Sequence, residues 1–179
     1  GNLTTKQVEF SRNIHSAGSD LLTLINDILD LSKIESGTVT VETEEMTFSE
    51  LRDSVERNFR HVAESKNLML HTELASDLPN AFITDPKRLQ QILKNLLSNA
   101  LRYTPMQGQV RVEIGTTGAL VSLSVENTGA EISPELLPRL FDRFFRADKS
   151  RSHPDSDGAG LGLSITRAIV QAHGGVAAV

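Results

Sequence analysis

Residues 85–103, DPKRLQQILKNLLSNALRY, constrain the fold more than any other stretch of this chain. Asp85 can accept hydrogen bonds from the free amides at a helix start, and Pro86 suits the first helical position. Leu89, Ile92, Leu93, Leu96, Leu97 and Ala100 recur at helical spacing and form a broad apolar face. Asn95 and Asn99 interrupt that pattern. They lie four apart, and Arg102 follows one turn beyond on the same stripe. Such a line suits a hard cation and a chain of phosphates, because an amide oxygen can ligate Mg²⁺ and arginine pairs with phosphate oxygens. Alone, two asparagines on a helix are more simply read as a solvated face; the glycine patterns downstream tip the balance.

The remaining elements follow in order. Phe10, Ile14, Ala17, Leu21, Leu24, Ile28 and Leu31 alternate steps of four and three, a heptad seam within one helix over residues 3–35. Leu22, Ile25 and Leu29 widen it beyond a two-stranded stripe. A seam that wide asks for several partner helices, as in a four-helix bundle, so self-association or a partner helix outside the chain is expected. The alternative is that the helix packs on its own chain. Ser36-Gly37 ends it, and residues 38–43 alternate as a strand with Val39 and Val41 on one face. Ser49 is the expected cap of a helix over 49–65 with Leu51, Val55, Phe59 and Val62 inward. Residues 68–74 and 81–83 read as strands. Residues 109–115 and 120–127 read as a hairpin turning at Thr116-Thr117-Gly118. A Pro-capped helical segment, the aromatic run LFDRFF and a polar stretch at 148–157, read as a lid with a plain surface loop as the alternative, come next. GAGLGL then leads into a helix to Ala172, closed by His173-Gly174-Gly175, and Val176 begins a strand. Segregated helices and hairpin-linked strands predict an α+β fold, a mixed sheet covered by about three helices.

Bulk properties narrow the function. The chain has no cysteine, which excludes disulfides and thiolate metal sites. A formal net charge of −5 argues against non-specific nucleic-acid binding. No apolar run approaches bilayer length. Asn127-Thr128-Gly129 ends an apolar strand and can present a side-chain acceptor, although a plain turn explains it equally. In Gly158-Ala159-Gly160-Leu161-Gly162-Leu163, glycines let the backbone approach a ligand, and the free amides of the following helix favour phosphate. No βαβ unit surrounds this run and no Lys-Ser/Thr follows it, so neither the dinucleotide nor the Walker pattern applies. The histidines, His15, His61, His71, His153 and His173, have no metal-ligand spacing.

Taken together and in this order, NLLSNA, N-x-G, LFDRFFR and GxGLGL resemble the catalytic ATP-binding domain of sensor histidine kinases. LINDILDLSKIESG resembles the second helix of their dimerisation domain. The resemblance implies a Bergerat-type α/β sandwich holding ATP and Mg²⁺. It divides the chain into residues 1–37, part of the dimerisation and histidine-phosphotransfer domain, and residues 38–179, a catalytic domain that stops short of its closing strands. By motif match, Asn95 and Asn99 form the N box, with Asn99 the metal ligand. Arg102 and Tyr103 lie near the phosphates and the nucleotide. Asn127, with Gly129, reads the adenine amino group. Phe141, Phe144 and Phe145 form the F box, and Arg146 reaches the terminal phosphate. Gly158, Gly160, Leu161, Gly162 and Leu163 cradle phosphate. Asn95, Arg102 and Arg146 are the catalytic set.

The chain departs from the family pattern. Asn127 stands where Asp is usual and Glu131 where a second glycine is usual, which predicts weaker adenine binding and looser rejection of guanine. His15 lacks the neighbours of an acceptor box, so the phosphoacceptor helix is expected outside the chain. Residues up to about Ala100 resemble hybrid kinases most, whereas LPRLFDRFFRADKSRS and ITRAIVQAHGG resemble the metal-sensing branch; a recombinant with a seam near Asn99 to Arg102 would combine them. The implied partners are a second copy through residues 3–35, the acceptor helix, and a response-regulator receiver domain. The implied setting is the cytoplasmic side of a membrane-anchored bacterial sensor. A dimerisation and interaction module with a degenerate nucleotide site is the rival. ATP hydrolysis is disfavoured, because Asn95 occupies the place of the Glu that activates water in the related hydrolases and cannot act as a base.

Overall fold

A computed structural model describes residues 4–36, 41–147 and 159–179. The elements run α1 (Thr5–Glu35), β1 (Glu44–Thr47), α2 (Phe48–Ser65), β2 (Met69–Leu74), β3 (Ala81–Thr84), α3 (Pro86–Tyr103), β4 (Gln109–Thr117), β5 (Leu120–Asn127), a 3₁₀ turn (Leu137–Arg139) and α4 (Gly162–Ala172). Strands β2, β4 and β5 form a mixed sheet in that order, β2 parallel and β5 antiparallel to β4; β1 and β3 pair separately and antiparallel. The architecture is the expected α+β one, a mixed sheet covered by helices.

Alternation along the strands gives the sheet one dry face. Val110, Val112 and Ile114 of β4 are buried with Leu70 of β2, and they pack against Leu51 and Val55 of α2 and Leu93, Leu97, Ala100 and Leu101 of α3. Fully burying a side chain such as Leu97 stabilises the fold by about 2 kcal/mol. His71, Glu73, Arg111, Glu113, Ser124 and Glu126 point the other way and are exposed. There Arg111 reaches Glu73 at 3.9 Å and Glu113 at 3.5 Å.

Local expectations need correction at several points. The first strand is Glu44–Thr47, not residues 38–43: Val41 to Thr43 are irregular, and Val39 lies outside the described residues. Pairing with β3 selects the strand, through Glu44↔Thr84 to Thr47↔Ala81, and overrides the alternation upstream. Helix α2 is capped by Thr47 rather than Ser49, in a capping box whose hydroxyl accepts from the Glu50 amide while the Glu50 carboxylate accepts from the Thr47 amide. The Thr47 amide and, at 2.9 Å, the Thr47 hydroxyl donate to the Glu50 carboxylate and hold that carboxyl below its ordinary range. Val62 is exposed, and Ala63, 1% exposed, takes the inward position. The hairpin turns two residues later than expected, at Gly118-Ala119, because Thr116 and Thr117 still pair with Val121 and Leu120. Gly118 supplies the φ of +64° that this turn needs. Val176 to Val179 form no strand.

The α1 seam divides. Leu24 and Leu31 pack with Ile92 of α3 and Leu161, Ile165, Ala168 and Ile169 at and within α4. Phe10, Ile14, Leu21 and Leu22 remain more than half exposed, at 61%, 74%, 58% and 60%.

Candidate functional site

Helix α3 builds the site because both its ends are pinned and its two sides are unlike. At the start, the Asp85 carboxylate is only 4% exposed and accepts from the backbone amides of Arg88 at 3.1 Å and Glu42 at 3.3 Å. At the end, Thr104 returns both its amide and its hydroxyl to the Ala100 carbonyl, at 3.0 and 2.6 Å. With Leu93, Leu97 and Leu101 committed to the sheet, Asn95, Asn99 and Arg102 fall on the opposite side and line a broad basin. The Arg102 guanidinium lies 5.7 Å from the Tyr103 ring centroid.

The far walls come from β5 and the loop before α4. Asn127 and Gly129 lie at the end of β5, and the Asn127 amide nitrogen donates to the Thr128 carbonyl at 3.2 Å. Its side-chain oxygen is thereby the atom left to accept from a ligand. Gly160 has φ +73°, and a Cβ there would lie 2.8 Å from the Phe145 carbonyl oxygen. The Phe144 amide donates to the Gly160 carbonyl at 3.0 Å, so the aromatic run and the glycine loop are fastened by backbone. Phe144 itself sits at φ +60°. Helix α4 has Leu161 at its N-cap position and no side-chain cap among the described residues, which leaves its first amides and its positive end for a ligand. Arg139 stacks over Phe145 at 4.6 Å and Arg167 over Phe141 at 5.3 Å, bracing the aromatic run from both sides.

The expected site residues thus border a common, broad basin. Asn95, Asn99, Arg102, Tyr103, Asn127, Gly129, Phe145, Arg146, Gly160, Leu161, Gly162 and Leu163 all line the one basin. Phe141 lines it too, while Phe144 is 60% exposed and does not. Gly158, His153 and the lid at 148–157 lie outside the described residues. A nucleotide fits this donor set: an acceptor on one wall, uncapped amides and a side-chain-free glycine on another, and cations on α3 and beside Phe145.

Sequence reasoning missed three supports. The Asn95 amide nitrogen donates to the Gly162 carbonyl at 3.0 Å, tying α3 to the glycine loop. Thr128 fixes the start of β4, accepting from the Gln109 amide on its hydroxyl at 2.9 Å and donating its own amide to the Gln109 carbonyl at 3.0 Å. Gly108 leaves room for this, since a Cβ there would meet the Thr128 hydroxyl at 2.4 Å. Leu161, 2% exposed, is held from behind by α1. Only the first had a signal in the sequence, the shared face of Asn95 and Asn99.

Residues 84–179 match the family described as histidine kinase-, DNA gyrase B- and HSP90-like ATPases. The chain belongs to this family. Its curated relatives include sensor histidine kinases. It is 38% identical over 176 residues to the circadian input-output histidine kinase CikA of Synechococcus elongatus, covering 98% of this chain and 23% of that protein. It is 38% identical over 156 residues to the sensor histidine kinase CusS of Escherichia coli O6:H1, covering 87% of this chain and 32% of that protein. Among solved structures, full-length ShkA in complex with AMPPNP superimposes with a TM-score of 0.82 at 28% identity, over 97% of this chain and 35% of that one. ThkA in complex with the response regulator protein TrrA gives 0.71 at 26% identity, over 98% of this chain and 47% of that one. The chain therefore spans 23% and 32% of these curated relatives' length, and 35% and 47% of these two solved chains.

Proposed function

We propose that this chain is the ATP-binding catalytic portion of a two-component sensor histidine kinase, serving transfer of the ATP γ-phosphoryl group to a histidine on a helix it does not itself contain. The observation that carries this is the convergence of the α3 stripe, the Asn127 wall and the uncapped start of α4 on one basin. Kinship with sensor kinases, and with a structure holding AMPPNP, supports it.

Each residue then has a task. Asn127 accepts from the adenine amino group through its side-chain oxygen. Asn99 offers one amide oxygen to Mg²⁺. Phosphate oxygens and water would be the natural complement to that amide oxygen around a hard cation. Magnesium supplies charge neutralisation across the phosphates when bound. Arg102 and Arg146 offset the remaining charge, and the amides at the start of α4 with Gly160 cradle the anion. In the transfer the terminal phosphoanhydride bond breaks, a P–N bond forms to the incoming imidazole, and ADP leaves with its new charge among these donors. Asn95 has no basic group to activate water, which supports transfer over hydrolysis.

The exposed apolar run of α1 supports pairing with a second copy and with an acceptor helix, and a response-regulator receiver domain is the expected recipient of the phosphoryl group. No helix among the described residues is long and apolar enough to cross a membrane; a membrane anchor and a cytoplasmic setting rest on kinship with sensor proteins. The same α1 run favours the second reading, an interaction module with a degenerate nucleotide site.

Thermal shift with Mg²⁺-ATP separates the two. The kinase reading expects a rise in melting temperature for the parent that is lost in Asn99→Ala and reduced on chelating Mg²⁺. No rise in the parent favours the interaction module. GTP competing with ATP within about tenfold is expected from the neutral Asn127, against far stronger exclusion by a carboxylate. Labelled ATP with an acceptor helix supplied in trans then tests transfer.

A further inference from the structure

Serine and threonine within a helix commonly return the hydroxyl to the carbonyl one turn back. This chain follows that habit: Ser11 donates to Gln7 at 2.8 Å, Thr23 to Ser19 at 3.0 Å, Ser32 to Ile28 at 2.9 Å and Thr104 to Ala100 at 2.6 Å. Thr166 in α4 does not. The residue is 3% exposed, and its hydroxyl oxygen is buried without a hydrogen-bond partner among the described residues. A buried hydroxyl left so costs free energy that an apolar residue of the same shape would not.

The acceptor it would use is four residues back, the Gly162 carbonyl. That oxygen already receives the Asn95 amide nitrogen at 3.0 Å, and it also lies where the Thr166 amide makes its own helical bond, one residue after Ile165 closes the first turn onto Leu161. A carbonyl oxygen has two lone pairs, so a third donor finds no place. The Asn95 side chain rests directly on this glycine, its Cβ and Cγ each 3.5 Å from where a Gly162 Cβ would be. One acceptor in the glycine loop thus has two competing side-chain donors, and the one on α3 holds it.

We propose that Thr166 is a positioning residue that takes over the Gly162 carbonyl when Asn95 turns toward a metal-bound triphosphate. The proposal rests on the nucleotide reading above. Its physical content is an exchange without net loss. Asn95 leaves the loop to meet the ligand, and the hydroxyl behind it closes the bond, so the loop stays fixed while the ligand gains a donor. The unpartnered hydroxyl of the ligand-free protein is the reserve that makes this possible.

A melting-temperature cycle on ligand-free protein tests the exchange directly. Thr166→Val in the parent is expected to melt at or above the parent, because it removes an unpartnered group. In an Asn95→Ala background, where the hydroxyl already holds Gly162, Thr166→Val is expected to melt below Asn95→Ala alone. Equal lowering in both backgrounds, the mark of a merely structural threonine, overturns the proposal. Titration with Mg²⁺-ATP is the second arm. Thr166→Val is expected to weaken binding about fivefold, the weight of one ordinary hydrogen bond, and Thr166→Ser to stay within about twofold of the parent. A parent that binds Mg²⁺-ATP while Thr166→Val binds equally well overturns the exchange alone. A parent that binds none overturns the nucleotide reading and this proposal with it.

Discussion

The two apolar clusters of this molecule have opposite relations to the basin. The larger one, between the β2-β4-β5 sheet and helices α2 and α3, is built from strand alternation and helix faces and contains none of the site residues. The smaller one joins Leu24 and Leu31 of α1, Ile92 of α3, and Leu161, Ile165, Ala168 and Ile169, so a residue of the glycine loop is part of its packing. The larger cluster holds the site up from outside. The smaller one is continuous with it, and a change in how α1 seats is felt at Leu161. Polar contacts follow the same seam: Asp30 of α1 accepts from Gln91 at 3.0 Å and lies 3.6 Å from Arg88.

The contrast is open to test, starting where the effect is largest. Leu97→Ala, at a fully buried position of the larger cluster, should lower the unfolding free energy by about 2–5 kcal/mol in urea. The folded fraction should bind Mg²⁺-ATP as the parent does; lost affinity would erase the distinction. Ile165→Ala in the smaller cluster should cost about 2 kcal/mol, the low end of that range, because a small cluster beside an open basin collapses more readily onto the cavity. It should also weaken Mg²⁺-ATP binding and speed amide exchange from Leu161 to Ser164, neither of which Leu97→Ala should do.

Two surface changes sharpen the same comparison. Thr47→Ala removes one side of the capping box of α2 and should cost about 1 kcal/mol with nucleotide affinity unchanged. Asp27→Asn probes the α1 seam. Burial raises the Asp27 carboxyl above its ordinary value of 3.8, with Asp30 adding to the rise and Lys94 opposing it. A raised carboxyl favours the protonated form in the fold. Its contribution is therefore whole below pH 3.8 and is lost as pH rises through the folded-state value. Asp27→Asn should then melt slightly higher than the parent at pH 7, by about 1 °C, and match it in acid. A variant that melts lower at pH 7 would show that attraction to Lys94 outweighs burial.

What the sequence disclosed follows the same division. Elements of the larger cluster were legible because each has one wet and one dry side: Asp85 and Pro86 mark the start of α3, and Val110, Val112 and Ile114 mark the buried face of β4. The stripe of Asn95, Asn99 and Arg102 was legible for the converse reason, as polar residues where packing alone would place apolar ones. The first strand was hidden because EEMT has no alternation of its own and takes its register from β3. The cap of α2 was misplaced by two residues because Thr47 and Ser49 are both good caps, and only Glu50, three after Thr47, completes a box. The competition of Asn95 and Thr166 for Gly162 turns on a bond from the Asn95 side chain to a carbonyl 67 residues further along the chain, and no local pattern encodes it.

The parallel pairing of β2 with β4, Met69↔Gln109 through Leu74↔Ile114, has a kinetic corollary. Parallel neighbours cannot be closed by a tight turn, so everything between them, β3 and α3 included, is carried as a loop until the two strands meet. The asparagine helix is thereby the crossover of the fold, and its stripe faces a walled space only after that late, non-local closure. During refolding, fluorescent-nucleotide capture should lag the first helical signal and rise together with sheet formation, as expected where distant contacts set the pace.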